Sequence, residues 1–306
     1  MKHPKISVLI PAFNEEEMLE DTVRSILKSK YPHKEIIIGV DDGIDKTLEI
    51  AKKLKKRYKN VSFVFHPKRI GTTANMNSIL KKAKGEIILK FDADMRIGNP
   101  QNFFFKIAKH FEDKNVGGIA IFGYKSVKDK KLKKEIEIKK QNLITRGEYV
   151  AYELGDMFKK EALPLDKIPD FPIDIHCFRR SLIQKIDANI IHDDAFFAYK
   201  VLEKGYIIED ASDVIVIHFG TPKSIRGLSN TRIKGRVGWL ELSEKYSLNL
   251  KKYYFNLFSL FLKNINKFKI IDIMAFLCWS SIFSISLLIS CFKKNKASVD
   301  VWKKRT

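Results

Sequence analysis

Glu86-Ile87-Ile88-Leu89-Lys90-Phe91, followed at once by Asp92-Ala93-Asp94-Met95, decides the reading of this chain. The apolar run reads as a buried strand, and two carboxylates stand one residue apart at its end. Side chains alternate along a strand, so Asp92 and Asp94 point the same way wherever the extended geometry persists. Two carboxylates aimed at one spot repel unless a cation lies between them. A hard divalent ion carrying phosphate oxygens resolves that repulsion. An isolated Asp-x-Asp is common in solvated turns, so the neighbouring segments must decide its meaning.

Working outward, apolar runs at 6–10, 35–40, 61–65 and 118–124 read as further strands. Helical spacing of apolar residues marks 15–28, 45–58, 73–84 and 101–111 as the intervening helices. Alternation of this kind, with fully apolar strands, argues an α/β fold: a mostly parallel central sheet with helices on both faces. Ligands bind such sheets at the carboxyl ends of the strands. The distinctive polar residues fall there, at 14–17, 41–45, 66–69 and 92–94. Beyond them, 125–140 is a lysine-rich run that reads as an exposed helix, 194–204 a helix and 214–218 a strand.

The 306 residues carry 57 Lys and Arg against 36 Asp and Glu, a formal charge of +21 that favours an anionic partner or surface. Cys177, Cys278 and Cys291 have neither metal-ligand spacing nor a disulfide framework, which fits a reducing compartment. A strand beginning at residue 6 leaves no room for a signal peptide, so the catalytic part is expected in the cytoplasm.

Residues 273–292 form an uncharged run bracketed by Lys263, Lys267 and Lys269 before it and Lys293, Lys294 and Lys296 after it. As a helix it is about 30 Å long, the thickness of a bilayer's hydrocarbon core. Its five serines lower its hydrophobicity, so a re-entrant or surface-lying helix stays open. The segment 253–262 is shorter and aromatic, and suits an interfacial helix or a core element. The expected division is a catalytic domain over 1–240, with halves at about 1–125 and 126–240, and a membrane-associating helical tail over 241–306. Asp272 at the tail's edge is expected to snorkel or stay wet.

No Gly-x-Gly-x-x-Gly follows the first strand, and no Gly-x-x-x-x-Gly-Lys-Ser/Thr loop occurs, so phosphates are not cradled by a helix N-terminus there. A metal bridging carboxylates and diphosphate takes over that role. In order along the chain stand Val8-Leu9-Ile10-Pro11-Ala12-Phe13-Asn14-Glu15-Glu16, Asp41-Asp42-Gly43-Ile44-Asp45-Lys46-Thr47 and Arg69-Ile70-Gly71-Thr72-Thr73-Ala74-Asn75-Met76-Asn77. Phe91-Asp92-Ala93-Asp94, Cys177-Phe178-Arg179-Arg180 and His192-Asp193-Asp194 through Lys204-Gly205-Tyr206 follow.

This ordered set, over about residues 5–220, resembles the family 2 glycosyltransferases, which have the GT-A nucleotide-diphospho-sugar transferase fold. The resemblance implies a metal-dependent, inverting transfer of a sugar from a nucleotide-diphosphate donor, UDP- or GDP-linked, to an acceptor. Asp41 or Asp42 reads the base, since an ionised carboxylate accepts an imide N–H. Arg69 meets base or phosphate, and Pro11, Ala12, Phe13, Glu15, Asn75 and Asp92 line the nucleotide pocket. Asp94, with Asp92 and His218, holds Mg²⁺ or Mn²⁺. Asp194 is the base that deprotonates the acceptor and Asp193 assists acceptor binding, Asp193 standing where the family's pair has Glu.

Arg232 and Arg236 lie four apart on one helix face, placed for a diphosphate or lipid phosphate. The stretch from Arg232 to Trp239 lacks the Gln and the spacing of the Gln-x-x-Arg-Trp signature of processive synthases, which favours transfer of a single sugar. The basic-flanked tail directs the acceptor to the cell membrane: polyprenyl phosphate, a lipid-linked glycan or a surface polysaccharide. A sugar nucleotidyltransferase of related fold needs a glycine-rich loop with Arg after the first strand, where Pro11-Ala12-Phe13-Asn14 stands instead. A nucleic-acid-binding protein is suggested by the net charge alone, without zinc spacing or a recognition helix, so no nucleic-acid partner is expected.

Overall fold

The computed structural model describes residues 3–122, 130–187, 190, 192–221 and 224–293. The chain divides into two compact units: Met1–Lys133, Lys159–Ile168 and Ile173–Gly220 form the first, and Lys134–Phe158, Pro169–Pro172 and Thr221–Thr306 the second. The division falls at residue 220, ahead of the expected 240, because the helix that follows carries Leu228 into the second unit's own apolar core.

In the first unit, β1 (Ile6–Ala12), α1 (Leu19–Leu27), β2 (Lys34–Asp41), α2 (Thr47–Arg57), β3 (Val61–His66), α3 (Thr72–Lys82) and β4 (Ile87–Lys90) alternate as the sequence implies. Next come β5 (Met95–Ile97), α4 (Phe103–His110), β6 (Val116–Phe122), β7 (Cys177–Arg179), α7 (Asp193–Glu203) and β8 (Ile207–His218). Residues 123–124, expected to extend β6, and 125–129, expected to open the lysine-rich helix, lie outside the described residues.

The sheet order is β3-β2-β1-β4-β7-β6-β8-β5. β1 pairs in parallel with β2 and β4, β2 with β3, and β6 with β8. β7 runs antiparallel to β4 and β6, and β5 antiparallel to β8. The sheet is therefore mixed where a mostly parallel one was expected. The strands responsible, β5 and β7, are three residues each, too short for a side-chain pattern.

Burial alternates along the inner strands. Ile36, Ile38 and Val40 join one core with Leu19, Val23 and Ile26 of α1, Ala51 and Leu54 of α2, and Phe104 and Ile107 of α4. Gly39 points to the other face, where a Cβ would stand 1.7 Å from Asn75 Oδ1 and 3.0 Å from Ile79 of α3. Helices thus cover both faces.

The second unit contains most of α6 (Leu143–Ala162) together with α8 (Ile225–Tyr246), α9 (Leu250–Lys263) and α10 (Ile270–Lys293), and α5 (Lys130–Lys139) leads into it. Val150, Leu154, Leu228, Leu260, Phe261, Phe276 and Trp279 make its core. Glu148 is completely buried among them, ion-paired to Arg232 and accepting the Trp279 Nε1–H at 2.5 Å.

The uncharged run 273–292 of the expected tail falls within α10. It is not apolar on all sides of its contacts: Ala275, Phe276 and Trp279 are packed into the unit, and Asp272 accepts a 2.6 Å bond from Arg146 rather than standing wet. Among the described residues no helix is long and apolar enough to cross a membrane. The outer residues of the same region are apolar nonetheless. Phe255, Phe258 and Leu262 on α9 and Ile270, Ile271, Met274 and Leu277 on α10 are exposed, Phe255 at 71% and Ile270 at 79%.

Candidate active site

The β1 loop and the β2 loop lock together by short polar bonds. Asn14, at φ 55°, accepts the Ile44 N–H on Oδ1, which leaves no room for a side chain at Gly43. Asp45 accepts from Glu16 N, Thr47 N and Thr47 Oγ1, and Thr47 Oγ1 accepts the Glu15 N–H. Pro11 and Ala12 end β1 beside Gly39 and Val40. The Arg69 guanidinium lies 4.2 Å from the centre of the Phe13 ring, a cation–π pair whose charge suits a base or phosphate.

Of the two aspartates offered as base readers, Asp41 is buried and saturated. It accepts from Ile70 N, Gly71 N and Asn75 Nδ2 and meets His66 Nδ1 at 3.2 Å. Four partners occupy the lone pairs of one carboxylate. Asp42 is the exposed member of the pair. Asn75 is likewise not at the pocket surface: it is buried, and its amide donates to Gly39 O and Asp41. Both residues hold the 69–71 loop in shape.

At the end of β4, Asp92, Asp94 and His218 each offer a ligand atom within 4.8 Å of the others. His218 is placed by β5 pairing with β8, in which Met95 faces His218, and by the Phe219 N–H bonding Asp94 O at 2.8 Å. Asp94 Oδ1 is buried without a hydrogen-bond partner. Its other oxygen lies so close to Gly220 that a Cβ there would stand 1.6 Å away. Burial, and then the charge of Asp92, push Asp94 up to about 6. Burial pushes His218 down to about 4 against the pull of Asp92, so the imidazole is neutral, as a metal ligand must be. Two carboxylate oxygens and one imidazole nitrogen, with an Asp94 oxygen left unpartnered, fit a divalent cation that also takes phosphate oxygens.

Behind this cluster lies a buried charge network. The Lys90 ammonium reaches Asp194 Oδ1 at 2.7 Å, Asp193 Oδ1 at 3.2 Å and Asp92 Oδ1 at 3.5 Å. Burial opposes its charge, yet Asp193, Asp194 and Asp92 together raise Lys90 well above the usual lysine range. Asp194 also meets His176 Nδ1 at 3.1 Å. Asp193 is buried, its Oδ2 has no hydrogen-bond partner, and the residue capping α7 is His192. Asp193 therefore faces Lys90, where an acceptor-binding role had been expected.

Lys90 and His176 were not singled out from the sequence. A lone lysine inside an apolar strand was the available signal for the first. The second sits in an irregular stretch that offered none. Arg232 and Arg236 lie on α8 in the second unit. Arg232 is bound to Glu148 and sits 5.2 Å from the Trp279 ring, so it is not free to take a phosphate. Arg236 lies 5.5 Å from the Tyr254 ring, and its Nε and Nη1 are buried without partners.

The family model for glycosyl transferase family 2 matches residues 7–187, which include the donor-side loops, Asp92 and Asp94 of the metal cluster, and His176, with His218 and the Asp193–Asp194 pair beyond it. The chain belongs to glycosyltransferase family 2. It is 25% identical over 169 residues to the beta-monoglucosyldiacylglycerol synthase of Trichormus variabilis, covering 54% of this chain and 33% of that one. It is 26% identical over 171 residues to the GalNAc(5)-diNAcBac-PP-undecaprenol beta-1,3-glucosyltransferase of Campylobacter jejuni, covering 52% of this chain and 53% of the other. The chain thus spans well under two thirds of the length of these curated relatives.

Among solved structures it resembles the mannosyltransferase PcManGT of Pyrobaculum calidifontis, solved with GDP-Man and Mn²⁺. The TM-score is 0.64 at 15% identity, covering 99% of this chain and 89% of that one. That likeness shows the fold, a GT-A-like α/β fold with a mixed sheet and flanking helices.

Proposed function

We propose that this glycosyltransferase moves a single sugar from a UDP- or GDP-linked donor to a membrane-associated acceptor, in one inverting displacement that depends on Mg²⁺ or Mn²⁺. The observation that carries the reading is the Asp92–Asp94–His218 cluster with its orphaned Asp94 oxygen, set beside the Asp193–Asp194 pair. The base stacks against Phe13 and Arg69 and is read by Asp42, and Arg69 also lies within reach of phosphate. Asp94, Asp92 and His218 hold the cation, which when bound supplies Lewis-acid stabilisation to the departing nucleoside diphosphate. The Asp193–Asp194 pair, held by Lys90, supplies the basic function at the acceptor side.

The acceptor class rests on two supports. The relatives named above carry a diacylglycerol and an undecaprenol diphosphate in their names. The apolar outer faces of α9 and α10, rimmed by Lys251, Lys252, Lys263, Lys267 and Lys269, suit attachment to an anionic membrane surface with the helices lying in its plane. Arg236, with its unpartnered donors, is the candidate for a lipid phosphate.

The test is nucleoside diphosphate release from UDP-glucose and GDP-mannose, with Mn²⁺ or with EDTA, in wild type and Asp94→Ala. Release that survives both EDTA and the substitution would defeat the metal-dependent reading.

A further inference from the structure

We infer that Lys90 is a positioning residue of the transfer step: its ammonium pins one oxygen of Asp194 and leaves the other, Oδ2, to take the acceptor's proton. This rests on the transferase reading above and deepens it. Lys90 ends β4 on the face opposite Ile87 and Leu89, which belong to the main apolar core. Its side chain is 5% exposed. The ammonium donates to Asp194 Oδ1 at 2.7 Å and to Asp193 Oδ1 at 3.2 Å, and Asp92 Oδ1 lies 3.5 Å away.

The start of α7 does not depend on this charge for its place. The Ile175 N–H bonds Asp194 O at 3.1 Å, and the Lys90 N–H bonds His176 O at 2.8 Å, so backbone bonds already join β4 to α7 through residues 175 and 176. An ammonium buried with two carboxylates carries a desolvation cost that an apolar side chain at the end of an apolar strand avoids. What the charge adds is orientation, together with relief of the repulsion between two neighbouring carboxylates.

Asp194 Oδ1 also meets His176 Nδ1 at 3.1 Å, so two donors fix that oxygen and the rotation of the carboxylate with it. Oδ2 takes no hydrogen bond from the described residues. Asp193 Oδ2 also lacks a partner, but it is buried. The reachable oxygen of the pair therefore belongs to Asp194, which stands on the exposed side of the ammonium that Asp193 and Asp92 share.

The step balances without a further reactant. The acceptor's proton moves to Asp194 Oδ2 as the acceptor oxygen bonds to the anomeric carbon. The bond from that carbon to the diphosphate oxygen breaks, and its electron pair leaves with the nucleoside diphosphate. Lys90 keeps its own protons throughout, with Oδ1 bonded to it.

The experiment uses the full chain with Mn²⁺ and water as acceptor, following release of UDP from UDP-glucose and GDP from GDP-mannose. Lys90→Met should lower kcat by about 100-fold while the donor KM stays within about twofold. The deciding comparison is Asp194→Asn with and without Lys90→Met. A residue that acts through Asp194 has nothing left to position once that carboxylate is gone, so the double variant should be no slower than Asp194→Asn. Having lost one charge of each sign, it should also melt higher than Lys90→Met. Mn²⁺ alone, titrated in a calorimeter, should bind the double variant no more weakly than Asp194→Asn, because a cation beside Asp92 has been removed.

A double variant about 10-fold or more slower than Asp194→Asn would show that Lys90 acts elsewhere and overturn the inference. Weaker Mn²⁺ binding would trace the loss to the metal side and overturn it too, as would Lys90→Met with the kcat of the wild type. Wild-type protein that releases nothing from either donor would instead remove the underlying transferase reading, and the inference with it.

Discussion

Asp94 carries the sharpest prediction at the scale of single residues. With its carboxyl held at about 6 by burial and Asp92, the ion-free folded state binds that proton more tightly than the unfolded chain does. Raising the pH from 5 to 7.5 therefore adds an electrostatic penalty, which a divalent cation removes. His218 stays neutral across that window, being held at about 4. Mn²⁺ should raise the melting temperature more at pH 7.5 than at pH 5, and Asp94→Asn should abolish the difference; a thermal-shift titration at the two values checks it. Asp41 and Asp42 should also separate. Asp42→Ala should weaken nucleotide-sugar binding by calorimetry with the melting temperature unchanged. Asp41→Ala, which strands four donors, should cost about 1–3 kcal/mol in urea unfolding. The metal carboxylates were legible from their place just after an apolar strand and not from strand alternation, since β4 ends at Lys90 and the Met95 N–H bonds Asp92 O in a turn. Asp41's saturation was not, since the Ile70 and Gly71 amides that fill it belong to a loop whose path no local pattern specifies.

At the scale of elements, strand–helix alternation through β4 was readable because each segment repeats an apolar period over several turns or residues. What escaped was short or interrupted: β5 and β7, whose antiparallel pairing brings His218 and His176 to the site, and the twenty-residue α6. Three residues cannot display a period, and α6 mixes Glu148 and Arg146 into its buried side. Those polar residues are matched from α8 and α10, by Arg232 and Asp272, contacts far apart in sequence. The match predicts a large effect: Glu148→Ala leaves the partly buried Arg232 without its counter-charge and should destabilise the chain by about 3 kcal/mol. Denaturant unfolding measures it. A double variant, Glu148→Met with Arg232→Met, should recover much of the loss, since an apolar pair of similar volume needs no desolvated charges.

For the whole molecule, the +21 charge reads differently once the exposed apolar residues of α9 and α10 are seen among lysines. Flotation with vesicles should show binding to phosphatidylglycerol-containing bilayers and little to neutral phosphatidylcholine. Added NaCl should weaken it, because charges at a wet surface are screened beyond roughly 8–10 Å. Phe255→Ser with Phe258→Ser should reduce binding to both lipids while leaving the melting temperature of the chain unaltered. The same seven side chains have a bench-side consequence. In plain buffer their only shelter is one another, so the purified enzyme should cluster as it is concentrated and return to single particles when a mild detergent coats that flank.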